Sequence, residues 1–211
     1  MKTLNNFSIN VLDIAAWFNA VRNLSDEHRT RALESFYTGQ LLSKAWIAAS
    51  LGSIVERASN VYIFGGWTGV LASMLFNSRM PVKKIRSIDI DPWCEEVADT
   101  VNKQYEMDGW RFKAVTADMT RYDYDWGITS DIVINTVCEH ITQEAYTEWY
   151  DRIAPGSLVV AQSNNFFTSP EHIRCSNNLT EFMDMNYVVE PVFSGHLHTK
   201  EYTRYMSIWR K

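Results

Sequence analysis

The sequence predicts a doubly wound α/β fold, with a mostly parallel seven-stranded sheet, an antiparallel last strand and N-terminal helices. From residue 59 onward, short apolar runs of strand length alternate with segments of helical periodicity. This alternation indicates a parallel sheet that is covered on both faces. The last two apolar runs follow each other across a short polar loop, which predicts a hairpin and therefore an antiparallel edge.

Residues 1–58 are predicted to form a helical segment before the sheet. Apolar residues recur at three- and four-residue spacing from Val11 to Val21, as on one face of a helix. Ser25 is a predicted N-cap, because acidic residues follow it in the first turn. A further apolar helix covers about 39–57. The first ten residues are polar and lack the apolar run of a secretion signal.

Residues 59–211 contain the alternating elements of the predicted core. The predicted strands are 61–64, 85–88, 112–116, 131–134, 158–161, 187–193 and 202–209, and the predicted helices are 70–76, 92–105, 142–153 and 171–185. Right-handed crossovers bring the carboxyl ends of parallel strands to one edge, where ligands bind. No repeat or linker divides the chain, so we expect one domain over residues 1–211.

Composition excludes several classes of protein. A chain of 211 residues with 46% hydrophobic content can bury one sizeable core, and its net charge of −5 disfavours a nucleic-acid partner. No apolar stretch is long enough to cross a membrane. The 3 cysteines fit neither a disulfide framework nor a zinc motif, which favours the reducing cytoplasm. A homodimer remains open.

Two motifs in the first half of the core carry the chemistry. The first is a glycine-rich turn between a strand and a helix, VYIFGGWTGVLA, in which glycines permit positive φ and a close backbone approach to a ligand. The second is Asp89 at the end of the next strand, in SIDIDP, where a carboxylate can accept hydrogen bonds from both ribose hydroxyls. An ordinary strand–helix turn is the alternative for the first motif, and a helix N-cap or a surface carboxylate is the alternative for Asp89.

From about residue 60 to 211 these motifs resemble the class I S-adenosylmethionine (SAM)-dependent methyltransferase family. The resemblance implies that Gly65, Gly66, Trp67 and Gly69 cradle the methionine part of SAM. The sequence departs from the family pattern in two places. Trp67 stands where the family has its central glycine, and Ile63 stands where an acidic residue is frequent.

The resemblance also assigns contacts to the adenosine part of SAM. It implies that Asp89 binds the ribose and that Ile90 packs on the adenine. In TADMT, Asp118 would accept from the adenine amino group while Met119 covers the ring, although a loop-capping role is the alternative for the aspartate. Asn135, at the end of the fourth strand, is also a predicted cofactor contact.

The fourth strand leads into candidate catalytic residues. In DIVINTVCEHI, His140 is the candidate general base, because histidine titrates near neutral pH. Glu139 would orient it or contact the methyl acceptor. A local cap of the next helix is the alternative for His140. Asn164 and Asn165 follow the fifth strand, and we expect them to bind the substrate by hydrogen bonds.

The N-terminal helices and the C-terminal hairpin supply further candidates. The resemblance implies a helical lid, in which Tyr37 contacts the acceptor and Lys44 pairs with the methionine carboxylate. An exposed helix lysine is the alternative for Lys44. His196 and His198 are separated by one residue, but no third ligand is evident, so the sequence predicts no metal.

The resemblance implies a SAM-dependent methyltransferase that modifies a small molecule at oxygen or nitrogen. A SAM-using lyase or cyclase of the same fold is the second hypothesis, because the Trp67 ring can hold the methionine tail in another conformation. A nonenzymatic SAM- or nucleotide-binding protein is the third. An NAD-dependent oxidoreductase is disfavoured by the C-terminal strand pair and by the glycine spacing.

Overall fold

The computed structural model describes residues 8–124 and 131–211, so the first seven residues of the predicted helical segment lie outside the described residues. The helices are α1 (Val11–Arg22), α2 (Asp26–Glu34), α3 (Thr38–Ile54), α4 (Val70–Phe76), α5 (Trp93–Val101), α6 (Lys103–Met107), α7 (Gln143–Arg152) and α8 (Leu179–Met185). The strands are β1 (Ser59–Phe64), β2 (Val82–Asp89), β3 (Phe112–Thr116), β4 (Ile132–Asn135), β5 (Leu158–Asn164), β6 (Phe193–His198) and β7 (Thr203–Arg210).

The seven strands lie in the order β3-β2-β1-β4-β5-β7-β6. β1, β2 and β3 run parallel, as do β4 and β5, while β7 is antiparallel to both β5 and β6. The predicted fold class, including the antiparallel last strand and the N-terminal helices, is confirmed. Among the described residues, no helix combines the length and apolarity that a bilayer crossing requires.

The chain divides into two compact units, Met1–Ala117 and Asp118–Lys211. The first unit therefore combines the predicted helical segment, residues 1–58, with the first three strands of the predicted core, residues 59–211. The assignment of residues 1–211 to a single domain stays a prediction.

In the first unit, α1 is fastened to the core by a buried tryptophan and a buried carboxylate. The Trp17 side chain is 9% exposed, and its indole N–H donates to the Ser73 hydroxyl at 3.1 Å. Asp13 is fully buried and accepts hydrogen bonds from the side chains of Asn77, Gln104 and Tyr105. Since both buried polar groups have hydrogen-bond partners, the helix packs on the core without leaving either group unsatisfied.

In the second unit, the sheet is buried along its centre. All seven residues of β5 are buried, as are the six central residues of β7. Helix α7 begins at the predicted place, because the Thr142 hydroxyl accepts from the Ala145 backbone N–H. It contributes Tyr146 and Trp149, both fully buried, to the core.

The predicted helix 171–185 is wrong over its first eight residues, since α8 begins at Leu179. The backbone N–H groups of Ile173 and Arg174 donate to the Glu139 carbonyl, at 2.8 and 3.1 Å, and not to carbonyls of their own segment. The Asn178 side chain then caps α8 by accepting from the Glu181 N–H. Tertiary hydrogen bonds therefore replace the expected first turns.

Two further predicted elements are interrupted by the backbone conformation. The predicted strand 187–193 is wrong, because β6 begins only at Phe193. Tyr187 and Glu190 have φ of 57° and 47°, so the backbone there is not extended. Pro191 follows and has no backbone N–H to donate to a neighbouring strand. The predicted helix 92–105 is broken at Asn102 into α5 and α6.

Candidate functional site

The turn after β1 has the left-handed backbone that its glycines predict. Gly65 and Gly69 have φ of 70° and 75°. Trp67, which stands at the family's central glycine, has φ of 48°. A left-handed conformation costs a residue with a side chain about 1–2 kcal/mol. The backbone of the turn is therefore kept although a tryptophan occupies a position that favours glycine.

Packing within the unit also requires two of these glycines. A Cβ atom on Gly66 would lie 1.9 Å from the Ser87 hydroxyl oxygen. A Cβ atom on Gly69 would lie 2.9 Å from the Ala98 Cβ and 3.0 Å from its Cα. Close approach of α5 and β2 to the turn thus accounts for Gly66 and Gly69, and their contact with SAM stays a prediction.

Asp89 joins the end of β2 to the glycine turn. Its Oδ2 accepts from the Trp67 backbone N–H at 2.8 Å, and its Oδ1 accepts from the Asp91 N–H at 3.1 Å. Burial raises the pKa of the Asp89 carboxyl, while the backbone N–H groups of Asp91 and Trp67 oppose this shift. A carboxylate offers about four acceptor positions, so a ligand hydroxyl would add to these donors or replace one of them.

Helix α2 lies against the residues that follow Asp89. Arg31 forms an ion pair with Asp91 at 3.1 Å, and the His28 ring stacks on Trp93 at a centroid distance of 5.0 Å. Asp91 also accepts from the Trp93 indole N–H at 2.7 Å. Ile90, between the two aspartates, is 70% exposed. Its side chain is therefore accessible to a ligand, although its predicted contact with adenine is untested.

Helix α3 places Lys44 beside the altered turn. The Lys44 ammonium lies 5.7 Å from the centre of the Trp67 ring and donates to the Gln40 side-chain oxygen at 2.9 Å. Tyr37 precedes α3 and is 62% exposed. The pairing of Lys44 with a methionine carboxylate and the contact of Tyr37 with an acceptor remain predictions.

In the second unit, Asp118 and Asn135 both form local turns. Asp118 accepts from the Thr120 N–H at 2.9 Å and from its hydroxyl at 2.8 Å, and these bonds lower the pKa of its carboxyl. The Asn135 side-chain oxygen accepts from the Val137 N–H at 2.9 Å, and Asn135 is fully buried. Met119 is partly buried. Their predicted contacts with the cofactor rest on the motif resemblance alone.

Glu139 is the centre of a buried polar cluster. It lies in a short 3₁₀ turn, Cys138–His140, and is only 2% exposed. Its Oε1 accepts from Asn164 Nδ2 at 2.6 Å and from Arg204 at 3.2 Å. The electrostatic attraction of Glu139 raises the pKa of Arg204 despite its burial. Burial itself, the largest influence on that pKa, acts in the opposite direction.

His140 lies beside a histidine that the sequence analysis did not single out, His172. Their ring centroids are 4.7 Å apart in an edge-to-face arrangement. His140 Nδ1 lies 3.2 Å from the Glu171 carbonyl, and His172 Nδ1 lies 2.9 Å from the Phe166 carbonyl. Three atoms that can bind a metal ion lie within 4.8 Å of one another, one from each of Glu139, His140 and His172.

The two asparagines at the end of β5, Asn164 and Asn165, form hydrogen bonds within the second unit. Asn164 is fully buried, and its Oδ1 accepts from the Phe166 N–H at 2.8 Å while its Nδ2 donates to Glu139. Asn165 Oδ1 accepts from the Thr203 N–H at 2.7 Å, which fixes the end of β5 to β7. Neither contact tests substrate binding, which stays a prediction for both residues.

The structure brings together residues that the sequence could not connect. Arg204 and His172 come from β7 and from the loop before α8, and they reach Glu139 and His140 only through the tertiary fold. The only sequence signal was that the predicted sheet edge collects residues from several strands. His196 and His198 are exposed on β6, as surface residues.

Comparisons with known proteins identify the fold of the chain. Neither a protein-family model nor a curated protein matches the sequence. Among solved structures, N-methyltransferase NodS from Bradyrhizobium japonicum WM9 in complex with S-adenosyl-L-homocysteine superposes with a TM-score of 0.67 at 14% identity, covering 93% of this chain and 98% of that one. The chain has the fold of a methyltransferase.

Two further structures support the same fold. Magnesium protoporphyrin IX methyltransferase ChlM from Synechocystis PCC 6803 with bound SAM has a TM-score of 0.62 at 12% identity and covers 96% of this chain and 93% of that one. The small RNA methyltransferase HEN1 has a TM-score of 0.63 at 15% identity over 81% of this chain, but only 25% of its own length is covered. The predicted class I methyltransferase fold is therefore confirmed.

Proposed function

We propose that this chain binds SAM and transfers its methyl group to oxygen or nitrogen of a small-molecule acceptor. The observation that carries the proposal is the contact between the Asp89 carboxylate and the Trp67 backbone N–H at 2.8 Å. The carboxylate at the end of β2 thus lies directly against a left-handed glycine turn, an arrangement that suits a nucleoside ligand with a charged tail.

The N-terminal helices support this proposal. Arg31 and His28 of α2 contact Asp91 and Trp93, so α2 borders the side of the unit where Asp89 ends its strand. Helix α3 adds the Lys44 ammonium next to the Trp67 ring. A cation at this position can pair with the carboxylate of the methionine tail, and the ring can compensate for the missing central glycine by covering that tail.

The acceptor class is proposed from charge and from the comparisons. One of the structures described above, ChlM, is named for a small-molecule acceptor, magnesium protoporphyrin IX, and 93% of its length is covered. The net charge of −5 opposes the approach of a polyanion.

A buried location for all three cysteines, none of them disulfide-bonded, supports a cytoplasmic setting.

Calorimetry on the purified chain with SAM, S-adenosylhomocysteine and NAD tests the cofactor. Asp89→Asn keeps the size of the side chain but removes the charged acceptor. A hydrogen bond to a charged group contributes about 1.5–3 kcal/mol, so SAM affinity should fall roughly 10- to 100-fold. The matched control is Asp99→Asn, because Asp99 is also part-buried and also accepts from a backbone N–H, that of Ala114.

We expect the control variant to bind SAM as the unchanged chain does. Equal affinity of the Asp89→Asn variant and the unchanged chain, with both folded, would remove the ribose assignment. Tighter binding of NAD than of SAM would instead support the oxidoreductase hypothesis.

A SAM-using lyase or cyclase is the second candidate function, and Trp67 is the residue that favours it. The tryptophan occupies a left-handed position of the turn, where its ring changes the surface that meets the methionine tail. Mass spectrometry after incubation with SAM alone separates the hypotheses, because a lyase or cyclase forms product without an acceptor. Binding without any product, with or without acceptors, would indicate a nonenzymatic SAM-binding protein.

A further inference from the structure

The second unit contains three side chains of metal-ligand type at one place. Glu139, His140 and His172 each direct one ligand atom to a common region, and these atoms lie within 4.8 Å of one another. Ligands bound tetrahedrally to one ion at about 2.1 Å lie about 3.4 Å apart, so the most widely separated atoms of the cluster need to approach by up to about 1.4 Å. His140 is exposed and His172 half-buried, so both rings can rotate that far.

The hydrogen bonds of the two histidines prepare them as ligands. In each ring Nδ1 faces a backbone carbonyl, that of Glu171 for His140 and that of Phe166 for His172. A carbonyl can only accept, so the neutral ring carries its proton on Nδ1 and keeps a lone pair on Nε2. Histidines that bind metals are oriented in this manner, with the second ring nitrogen donating to a carbonyl or carboxylate.

Glu139 supplies an independent observation. Its side chain is only 3% exposed, and its Oε1 accepts hydrogen bonds from Asn164 and Arg204. Its Oε2 has no hydrogen-bond partner among the residues that the structure describes. A buried carboxylate oxygen without a partner costs about 1–3 kcal/mol or more, and such an atom requires an explanation. A metal ion at Oε2 would provide one.

The backbone fixes the three residues relative to one another. The N–H groups of Ile173 and Arg174, which follow His172, both donate to the carbonyl of Glu139. These bonds hold the loop that carries His172 against the 3₁₀ turn that carries the other two ligands. The cluster therefore belongs to the folded unit and does not depend on a chance meeting of surface side chains.

We propose that Glu139, His140 and His172 bind one divalent first-row transition-metal ion through one carboxylate oxygen and two imidazole nitrogens. Two imidazoles and one carboxylate suit Zn²⁺, Fe²⁺, Co²⁺ or Mn²⁺, whereas Mg²⁺ and Ca²⁺ prefer sites built from oxygen. Three protein ligands leave at least one coordination position open. This departs from the expectation of no metal, which considered only His196 and His198.

The charges around the cluster indicate what would take the open position. Arg204 already neutralises Glu139 through Oε1, so a bound dication leaves excess positive charge in a buried environment. An anionic oxygen of the acceptor, either a carboxylate or a hydroxyl that loses its proton to solvent on binding, would balance it. This statement about the acceptor rests on the methyltransferase proposal, while the metal site itself does not.

Metal binding to the full chain tests the site directly. The chelator-treated protein is titrated with Mn²⁺, whose free form is measured by electron paramagnetic resonance, and with Zn²⁺ in a calorimeter. We expect one ion per chain, with Zn²⁺ bound more tightly than Mn²⁺ and Mg²⁺ bound most weakly. His140→Ala and His172→Ala should each weaken Zn²⁺ binding at least about tenfold.

The control is the double variant His196→Ala/His198→Ala, which removes two exposed histidines whose rings are equally close, at 4.8 Å. It should bind Zn²⁺ as the unchanged chain does. No binding by the unchanged chain, or a loss of affinity that follows the control pair, would overturn the proposal. Circular dichroism of each variant shows whether it is folded. Because His140 is exposed, its replacement by alanine should leave the fold intact, so a loss of Zn²⁺ affinity in that variant reports lost coordination.

The experiment also separates this proposal from the others. Metal titrations without SAM are independent of the cofactor, so either proposal can fail alone. If His140 acts only as a base, turnover is lost in His140→Ala but retained in His172→Ala, and Zn²⁺ affinity is unchanged in both. If both residues are ligands, both variants lose Zn²⁺ affinity.

Discussion

Replacement of Gly69 by alanine should destabilise the chain through two effects that the structure separates. The φ of 75° places the residue in the left-handed region, which costs a residue with a Cβ about 1–2 kcal/mol. The new Cβ would also lie 3.0 Å from the Ala98 Cα, and overpacking in a filled core costs about 1–3 kcal/mol. Together the two effects predict a loss of about 2–5 kcal/mol.

The neighbouring side chain cannot easily relieve this clash. The Cβ would meet Asn102 Nδ2 at 2.6 Å, and this amide donates to the carbonyls of Gly69 and Ala98, at 3.0 and 2.9 Å. Moving it would leave buried carbonyls without that donor, at a cost of about 1 kcal/mol or more for each hydrogen bond.

Gly109→Ala is the matched control. Gly109 has φ of 62°, but no described atom would lie within 4 Å of its new Cβ. This variant should therefore lose only the conformational part, about 1–2 kcal/mol. Urea unfolding of the three proteins, followed by circular dichroism, gives the free energies of unfolding. Losses that agree within about 0.5 kcal/mol would refute the packing argument.

Three further predictions concern the buried charges and thiols. Arg204→Met should lower the free energy of unfolding, measured in urea, by about 3–5 kcal/mol, because Glu139 is left as an uncompensated buried charge. The double variant Glu139→Met/Arg204→Met should recover most of this loss, and no recovery would argue against the ion pair. Burial raises the pKa of every cysteine thiol, so Ellman's reagent should detect no thiol in the folded chain near pH 8 and all of them after denaturation; fast reaction of the native protein would contradict this for Cys94, Cys138 and Cys175. Burial raises the pKa of Asp89 above its ordinary 3.8, so the stability that this group contributes is complete below that pH and is lost as the pH rises through the folded-state pKa. The free energy of unfolding of the unchanged chain should therefore fall relative to that of Asp89→Asn as the pH rises above about 4, and a constant difference would exclude the shift.

Much of the fold could be predicted because its signals are local. Strand β3 and helix α4 have the predicted bounds, 112–116 and 70–76. Apolar runs of strand length reveal buried strands, and the polar loop between the last two runs reveals the hairpin. The errors at 171–178 and 187–192 arise where tertiary hydrogen bonds and left-handed residues override local propensity.

The candidate site was predictable only where a motif lies within one stretch of chain. The left-handed turn around Trp67 follows from the glycine spacing, and Asp89 follows from its place after a strand. Arg204 and His172 carry no such signal, because an arginine in a strand and a histidine in a loop are ordinary residues until the fold brings them to Glu139. Sequence reasoning can name the edge of the sheet, but it cannot pair side chains that are distant along the chain.

The burial of Glu139 is better explained by chemistry than by stability. A buried ion pair is often no more stabilising than apolar side chains of similar volume, because both charges lose their hydration. Here the pair is also incompletely satisfied, since Glu139 Oε2 and Arg204 Nε have no hydrogen-bond partner within the described part of the chain. A chain selected for packing alone would replace both residues. Their presence beside two histidines with oriented lone pairs is explained if Glu139 Oε2 binds a metal ion, and the metal titration measures whether it does.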